Sequence, residues 1–113
     1  MDVADKLLRD ARRGLLAVAV LEVLLDEGPL HGYGLRKSLT IRMGWEPPEA
    51  SLYDALKRLE KLGLVKGRWV RAGRGPLRRV YVATEEGRRV HGKVVRLLSS
   101  IIGWLICREV GEG

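Results

Sequence analysis

The sequence predicts a mainly α-helical domain that carries one small β-hairpin, and three observations support this prediction. Four stretches are either apolar over a helical length or have apolar residues at helical spacing. Two short stretches rich in Val, Trp and Tyr flank a turn that contains Gly and Pro, as the strands of a hairpin do. At 113 residues the chain is long enough for one modest core and too short for two.

A strong stop signal separates the first two predicted helices. Residues 15–25 are apolar on almost every side, so most of this helix is expected to be buried. Gly28 and Pro29 end it, because glycine favours the chain reversal and proline cannot continue a helix. A shorter second helix is predicted over residues 32–41, with His31 near its N-cap.

The third helix has the clearest pattern. Pro47 and Pro48 set its start, and Glu49 stands in the first turn, where the helix dipole favours an anion. Gly63 supplies the C-terminal stop. One face is apolar and the other is polar and mostly basic. The apolar face consists of Leu52, Leu56, Leu59 and Leu62, and the polar face of Ser51, Asp54, Lys57, Arg58 and Lys61.

The hairpin follows directly, with strands predicted over residues 64–71 and 77–83. Thr84 is the expected cap of a final helix whose first turn contains Glu85 and Glu86. The order helix, helix, helix, hairpin, helix is that of a winged helix-turn-helix. We therefore expect a winged domain over residues 1–83 and a C-terminal dimerisation helix over residues 84–113, within one compact unit. In this fold the third helix enters the major groove of DNA, and the hairpin, or wing, lies along the backbone or minor groove.

The final helix carries more apolar surface than one small domain can cover. Its apolar positions follow a heptad seam, and a second apolar stripe lies beside it. This excess predicts a second copy of the chain as partner. The expected dimer interface consists of Leu15, Val90, Val94, Leu97, Leu98, Ile101, Ile102, Trp104 and Leu105.

Positive charge is concentrated on the predicted wing. The chain has 21 Lys and Arg against 14 Asp and Glu, a net charge of +7. A basic run by itself is more often a solvated face than a binding site. This one lacks any acid between Glu60 and Glu85 and adjoins the half-basic third helix, which favours a phosphate-binding role. We expect wing and helix to form one continuous basic surface. The wing cations are Lys66, Arg68, Arg71, Arg74, Arg78 and Arg79.

Three segments closely resemble successive blocks of the PadR-like family of transcriptional regulators. They are GPLHGYGL (residues 28–35), SLYDALKRLEKLGLV (residues 51–65) and RRVYVATEEGRR (residues 78–89), in the family's order and spacing. The single helix after the wing resembles the compact branch of the family. The resemblance implies a homodimer that binds operator DNA, usually as a repressor released by a small molecule. The motif positions are Ser51, Tyr53, Lys57 and Arg58 on the third helix and Gly73, Gly75, Arg78, Arg79 and Tyr81 on the wing.

The residues and the resemblance together define a candidate DNA-binding set. Tyr53 is equally consistent with a phosphate donor and a core aromatic residue, and a core role is favoured for Tyr33 and Tyr81. Glu46 and Glu49 place two acids beside the expected DNA entry. The set consists of Tyr33, Ser51, Tyr53, Asp54, Lys57, Arg58, Lys61, Arg68, Arg71, Arg74, Arg78 and Arg79.

Other partners and activities are less well supported. Trp104 is the candidate contact for an apolar or phenolic effector at the dimer interface, although packing is the more common role of such a residue. No nucleophile arrangement, ligand spacing or nucleotide-binding loop is present, so neither an enzyme, a metal site nor a cofactor is expected. A lone Cys107 and the absence of a basic leader predict a cytoplasmic protein that does not bind membranes. The alternative function is a non-specific architectural DNA-binding protein.

Overall fold

The computed structural model describes residues 2–111, with side chains as far as Cys107. The predicted order of three helices, a hairpin and a final helix is confirmed, and the fold is a winged helix. Helix α1 begins well before the predicted apolar run. The elements are α1 (Val3–Glu27), β1 (Leu30–His31), α2 (Gly32–Met43), α3 (Glu49–Lys61), β2 (Val65–Arg71), β3 (Leu77–Ala83) and α4 (Glu85–Gly111).

The sheet has three strands: the predicted two-stranded wing, formed by β2 and β3, is confirmed, and the short strand β1 is added to it. Its order is β1-β3-β2 and every pairing is antiparallel. In the short strand β1, Leu30 pairs with Tyr81 and His31 with Val80. Two residues are too few to show the alternation by which a strand is found in sequence. This strand ties the start of α2 to the wing.

The core lies where α1, α2 and α3 meet beneath the sheet. As predicted, the second half of α1 is buried on most sides, and the leucines of α3 pack against it. Leu62 differs from the other leucines predicted for the apolar face, because α3 ends at Lys61 and the chain turns at Gly63, whose φ is +77°. Leu62 is therefore exposed instead of completing the apolar face. The best-buried side chains include Val20, Val23, Leu24, Leu35, Leu39, Leu52 and Leu56.

Two predicted helix caps are confirmed. The Oγ1 of Thr84 accepts a hydrogen bond from the Gly87 amide at 3.0 Å and donates one to the Gly63 carbonyl at 2.7 Å. Thr84 thus joins the turn after α3 to the start of α4. At the start of α2, His31 Nδ1 accepts a hydrogen bond from the Gly34 amide at 3.2 Å. Both caps satisfy backbone donors that have no partner within the helix.

The first half of helix α4 packs on α1. Val90 packs against the core of its own chain, so this first position of the heptad seam is used within the protomer. His91 Nε2 lies 2.5 Å from a carboxylate oxygen of Glu22 on α1. Farther along, Leu97, Ile101 and Trp104 are 54–59% exposed. The remaining interface candidates are either half-buried (Val94, Leu98) or exposed (Leu15, Ile102, Leu105).

The exposed part of α4 is also unusually apolar for its length. Residues 85–107 form a stretch of 23 residues whose most apolar window has a mean hydropathy of 1.4, which is long and apolar enough to cross a membrane. A helix that one subunit buries against another has the same composition, so length and hydropathy do not separate the two cases. Between α1 and α4 an apolar groove of about 460 Å³ is lined by Leu15, Val95, Leu98, Ser99, Ile102, Gly103 and Ile106.

Candidate nucleic-acid interface

The outward ridge of α3 is an exposed part of the candidate site. Helical geometry places Asp54, Lys57 and Lys61 opposite the buried leucines, and all three are exposed. Lys61 stands in the last turn, where the helix dipole favours a cation. The ridge therefore presents two cations and one anion to solvent. It is the part of α3 that would meet base edges if the helix entered a major groove.

The flank of α3 that faces α1 carries two further candidates. Ser51 and Arg58 line a groove of about 380 Å³ together with Arg13 of α1. They lie to one side of the ridge, next to the first helix. Sequence reasoning missed Arg13, because a single cation on a long helix carries no motif and only the packing of α1 on α3 brings it here. The other lining residues are Leu16, Ala17, Asp54 and Ala55.

A second trough runs along the opposite flank of α3, between this helix, the start of α2 and the wing. We call it the wing groove. It consists of two adjoining cavities of about 610 and 380 Å³ that share Tyr53, Arg79 and Tyr81. Its lining includes tyrosine hydroxyls and the cationic groups of Lys57, Arg78 and Arg79, which can contact phosphates. The residues around it are His31, Gly32, Tyr33, Tyr53, Leu56, Lys57, Glu60, Arg78, Arg79 and Tyr81.

The three tyrosines have different environments. Tyr81 is only 5% exposed and belongs to the core, as favoured from the sequence. Burial raises the pKa of its hydroxyl above the usual value, and the nearby Arg79 guanidinium partly offsets this effect. Tyr33 is 74% exposed, so the favoured core role is wrong for it; its ring stacks on His31 with centroids 6.3 Å apart. Tyr53 is partly exposed, and its hydroxyl lies against the backbone of Gly32.

The wing does not present its cations on one surface. In the β2–β3 register, Trp69 pairs with Arg79 and Arg71 with Leu77, while Arg68 pairs with Val80 and Val70 with Arg78. Because paired residues share a face and faces alternate along a strand, Arg71 and Arg79 lie on the side of Tyr81 and α3. The opposite face carries Lys66 and Arg68, and Arg74 lies in the turn. Arg78 alternates with Arg79 along β3, yet it also lines the wing groove. The expected single continuous basic surface is therefore wrong.

Among the residues that the structure describes, Arg79 is the wing cation with an ion pair and aromatic contacts. Its Nη2 lies 2.9 Å from Oε2 of Glu60, on the last turn of α3. Its guanidinium carbon is 5.4 Å from the ring centroid of Trp69 and 6.0 Å from that of Tyr81. The sequence shows no sign of this arrangement, since Glu60 precedes the acid-free span in which Arg79 stands.

One of the two acids near the expected DNA entry is also paired. Arg36 of α2 forms an ion pair with Glu46 at 3.2 Å, and its Nε donates a hydrogen bond to the Pro47 carbonyl at 2.9 Å. These contacts hold the segment between α2 and α3 and reduce the repulsion that Glu46 would exert on a phosphate. Glu49 lies exposed in the first turn of α3.

Comparison with known proteins agrees with this architecture. A sequence profile described as the transcriptional regulator PadR-like family matches residues 20–93, more than half of the 113 residues. The chain belongs to this family. The resemblance noted from the three sequence blocks is thereby confirmed. No curated protein matches the chain in sequence.

Solved structures of transcriptional regulators are similar over most of the chain. A PadR family transcriptional regulator from Eggerthella lenta is 32% identical, with a TM-score of 0.74; the match covers 98% of this chain and 91% of that one. A transcriptional regulator from Thermoplasma acidophilum is 29% identical with a TM-score of 0.69, and the match covers 86% of this chain and 95% of that one.

A third similar structure contains DNA. It is Bacillus subtilis PadR in complex with operator DNA, which is 25% identical with a TM-score of 0.63. The match covers 72% of this chain and 46% of that one, so the present PadR-family chain is much the shorter of the two. The family and its neighbours are transcription regulators.

Proposed function

We propose that this PadR-family protein is a homodimeric repressor that binds a palindromic operator through α3 and the wing. The observation that carries the proposal is the wing groove. This groove lies beside the exposed ridge of α3, and its lining includes tyrosines and cations. Membership of the family and the operator complex of the Bacillus subtilis relative support it. A repressor of this kind acts where the DNA is, in the cytoplasm.

The geometry suggests how one protomer meets the duplex. The ridge of α3 enters the major groove, where Asp54 accepts from a cytosine amino group and Lys57 donates to a guanine edge. One phosphate backbone lies in the wing groove near Tyr53 and Arg78, and the other passes the groove that contains Arg13 and Arg58. Arg74 in the wing turn probes a narrow minor groove. Phosphate contacts supply most of the affinity and the ridge supplies the specificity.

The second half of α4 forms the dimer interface in this proposal. Leu97, Ile101 and Trp104 are exposed in the single chain, and burying them removes apolar surface from water. A twofold axis through this helix would place two α3 helices about 34 Å apart, one helical turn of DNA. An apolar or phenolic effector would bind between the subunits against Trp104, beside the apolar groove of about 460 Å³ between α1 and α4.

Selection of bound genomic fragments by the purified protein, read by sequencing, tests the proposal. Recovery of a palindrome with half-sites one helical turn apart is the expected result. Random recovery would instead favour the non-specific architectural alternative. The variant Lys57→Glu on the ridge of α3 should abolish recovery, and the matched variant Lys93→Glu on the exposed surface of α4 should not.

A further inference from the structure

We infer that Arg79 is a positioning residue that fixes the wing relative to α3, and that it is not one of the phosphate ligands. The inference rests on the proposed DNA-binding function. The inference assigns Arg79 a different role from Arg71, although both lie on the same face of the hairpin. For residues 2–107 the structure gives no ion pair to Arg71, whereas Arg79 contacts two elements.

The guanidinium of Arg79 occupies space that a glycine leaves open. A Cβ added at Gly67 would stand 2.7 Å from Nη2 and 2.8 Å from both Cζ and Nε of Arg79. Gly67 pairs with Tyr81, so the Arg79 side chain runs diagonally across the hairpin to reach this position. Gly67 does not have a positive φ, hence its backbone does not require glycine. Its lack of a side chain is what lets the guanidinium lie over β2.

Two aromatic rings and one carboxylate hold the guanidinium there. Trp69 and Tyr81 lie within the distance at which a cation is attracted to a ring face, about 6 Å. Glu60 adds a charged hydrogen bond of 2.9 Å from the last turn of α3. The Arg79 and Glu60 side chains are 34% and 28% exposed, so water screens the pair less than it screens a fully exposed one. We call these five residues the Arg79 clamp: Glu60, Gly67, Trp69, Arg79 and Tyr81.

The clamp connects the two elements that must contact DNA together. Glu60 belongs to α3, and the other four members belong to the wing strands. When the contacts of the clamp are formed, the width of the wing groove is fixed before DNA binds. The protein therefore loses less conformational freedom on binding. A phosphate that took Arg79 as a ligand would leave Glu60 unpaired beside it, and the repulsion would offset the contact.

Gly67→Ala is the sharpest test, because it displaces the guanidinium without changing any charge. We expect a several-fold loss of affinity for the selected operator fragment, with the slope of log affinity against log salt unchanged. Gly92→Ala is the matched control, since the nearest atom to its added methyl is 3.9 Å away. Undiminished binding by Gly67→Ala would overturn the inference, because an Arg79 freed into solvent would still be available to phosphate.

The variants Arg79→Ala and Arg79→Lys provide a second test. The positioning role predicts that both weaken operator binding and that neither lowers the salt slope. Lysine keeps the charge but lacks the planar group that stacks on Trp69 and Tyr81. A slope reduced by about 0.9 log unit in Arg79→Ala, or full rescue by lysine, would identify Arg79 as a simple phosphate contact.

A measurement without DNA separates this inference from the proposed function. The Arg79 guanidinium lowers the pKa of the Tyr81 hydroxyl, in opposition to burial. In a Tyr33→Phe, Tyr53→Phe background, the ultraviolet titration of Tyr81 should therefore shift to higher pH when Gly67→Ala displaces Arg79. If the wild-type protein binds no DNA, the proposed function fails. If it binds and Gly67→Ala binds equally well, or if Tyr81 titrates unchanged, the clamp alone fails.

Discussion

Gly87 in the first turn of α4 lies directly against the carbonyl of Leu64, so closely that a Cβ at position 87 would overlap the Leu64 oxygen. Leu64 also accepts a hydrogen bond from the Thr84 amide at 3.0 Å through the same carbonyl. The first turn of helix α4 thus packs directly on the backbone segment that follows α3. Any change at this contact is expected to alter the position of α4 relative to the proposed DNA-binding elements.

Gly87→Ala should lower the free energy of unfolding by about 1–3 kcal/mol, because the clash is with backbone that cannot rotate away. Thermal or urea unfolding of the purified variant measures the loss. In Gly92→Ala, on the same helix, the nearest atom to the added methyl is 3.9 Å away. That control should be unchanged or up to about 1 kcal/mol more stable, because alanine is the better helix former. Equal effects of the two variants would contradict the contact.

Thr84→Ala should cost about 1 kcal/mol or slightly more in unfolding free energy, since it removes an N-cap. It also leaves the Gly63 carbonyl without the hydroxyl that donates to it at 2.7 Å. Thr84→Ser retains both hydrogen bonds and should stay close to wild type. Denaturant unfolding of the three proteins side by side is the measurement, and a serine variant as unstable as the alanine variant would argue against capping.

The double variant Arg74→Ala, Arg78→Ala should weaken DNA binding on every sequence. For each arginine that binds a phosphate, its removal should flatten the plot of log affinity against log salt by about 0.9. Fluorescence anisotropy with operator and unrelated duplexes at several salt concentrations measures this slope. Lys93→Ala removes a cation from the exposed surface of α4 and should leave the slope unchanged. A wild-type slope in the double variant would exclude phosphate binding by these two arginines.

In the proposed dimer α4 buries apolar surface against its partner, so Ile101→Asp, which places a charge there, should yield a monomer. Light scattering of the purified protein gives the mass directly. The matched control is Ile41→Asp on α2, where the wild-type isoleucine is 75% exposed and lies outside the proposed interface. A dimer that persists in Ile101→Asp would place the interface elsewhere.

Stability should fall as the pH rises through and above the usual tyrosine value of about 10. Burial raises the pKa of Tyr81 in the folded chain, so the unfolded chain loses its proton first. The unfolded state then binds fewer protons than the folded state, and stability decreases with pH until Tyr81 itself ionises. Urea unfolding at several pH values on either side of about 10 should show a smaller decrease for Tyr81→Phe. An identical decrease in stability in the wild type and in Tyr81→Phe would mean that titratable groups other than Tyr81 cause it.

The sequence by itself determined the order of the helices and the hairpin, both confirmed caps and the family. These features depend on local signals: the period of apolar residues, the N-cap threonine, and glycine where the chain must turn. The spacing of Leu52, Leu56 and Leu59 indicates which side of α3 is buried without any information from the rest of the chain. Dimerisation through α4, the DNA contacts and the effector remain predictions.

Only the tertiary structure decided which side chains meet. Whether Arg68 and Arg79 share a face depends on the register of β2 against β3, and a shift of one residue would exchange the faces. Arg13 reaches the flank of α3 because α1 packs there. Glu60 reaches Arg79 because Gly67 leaves room for the guanidinium. Such contacts join residues far apart in the chain, and the local spacing of residue types carries no information about them.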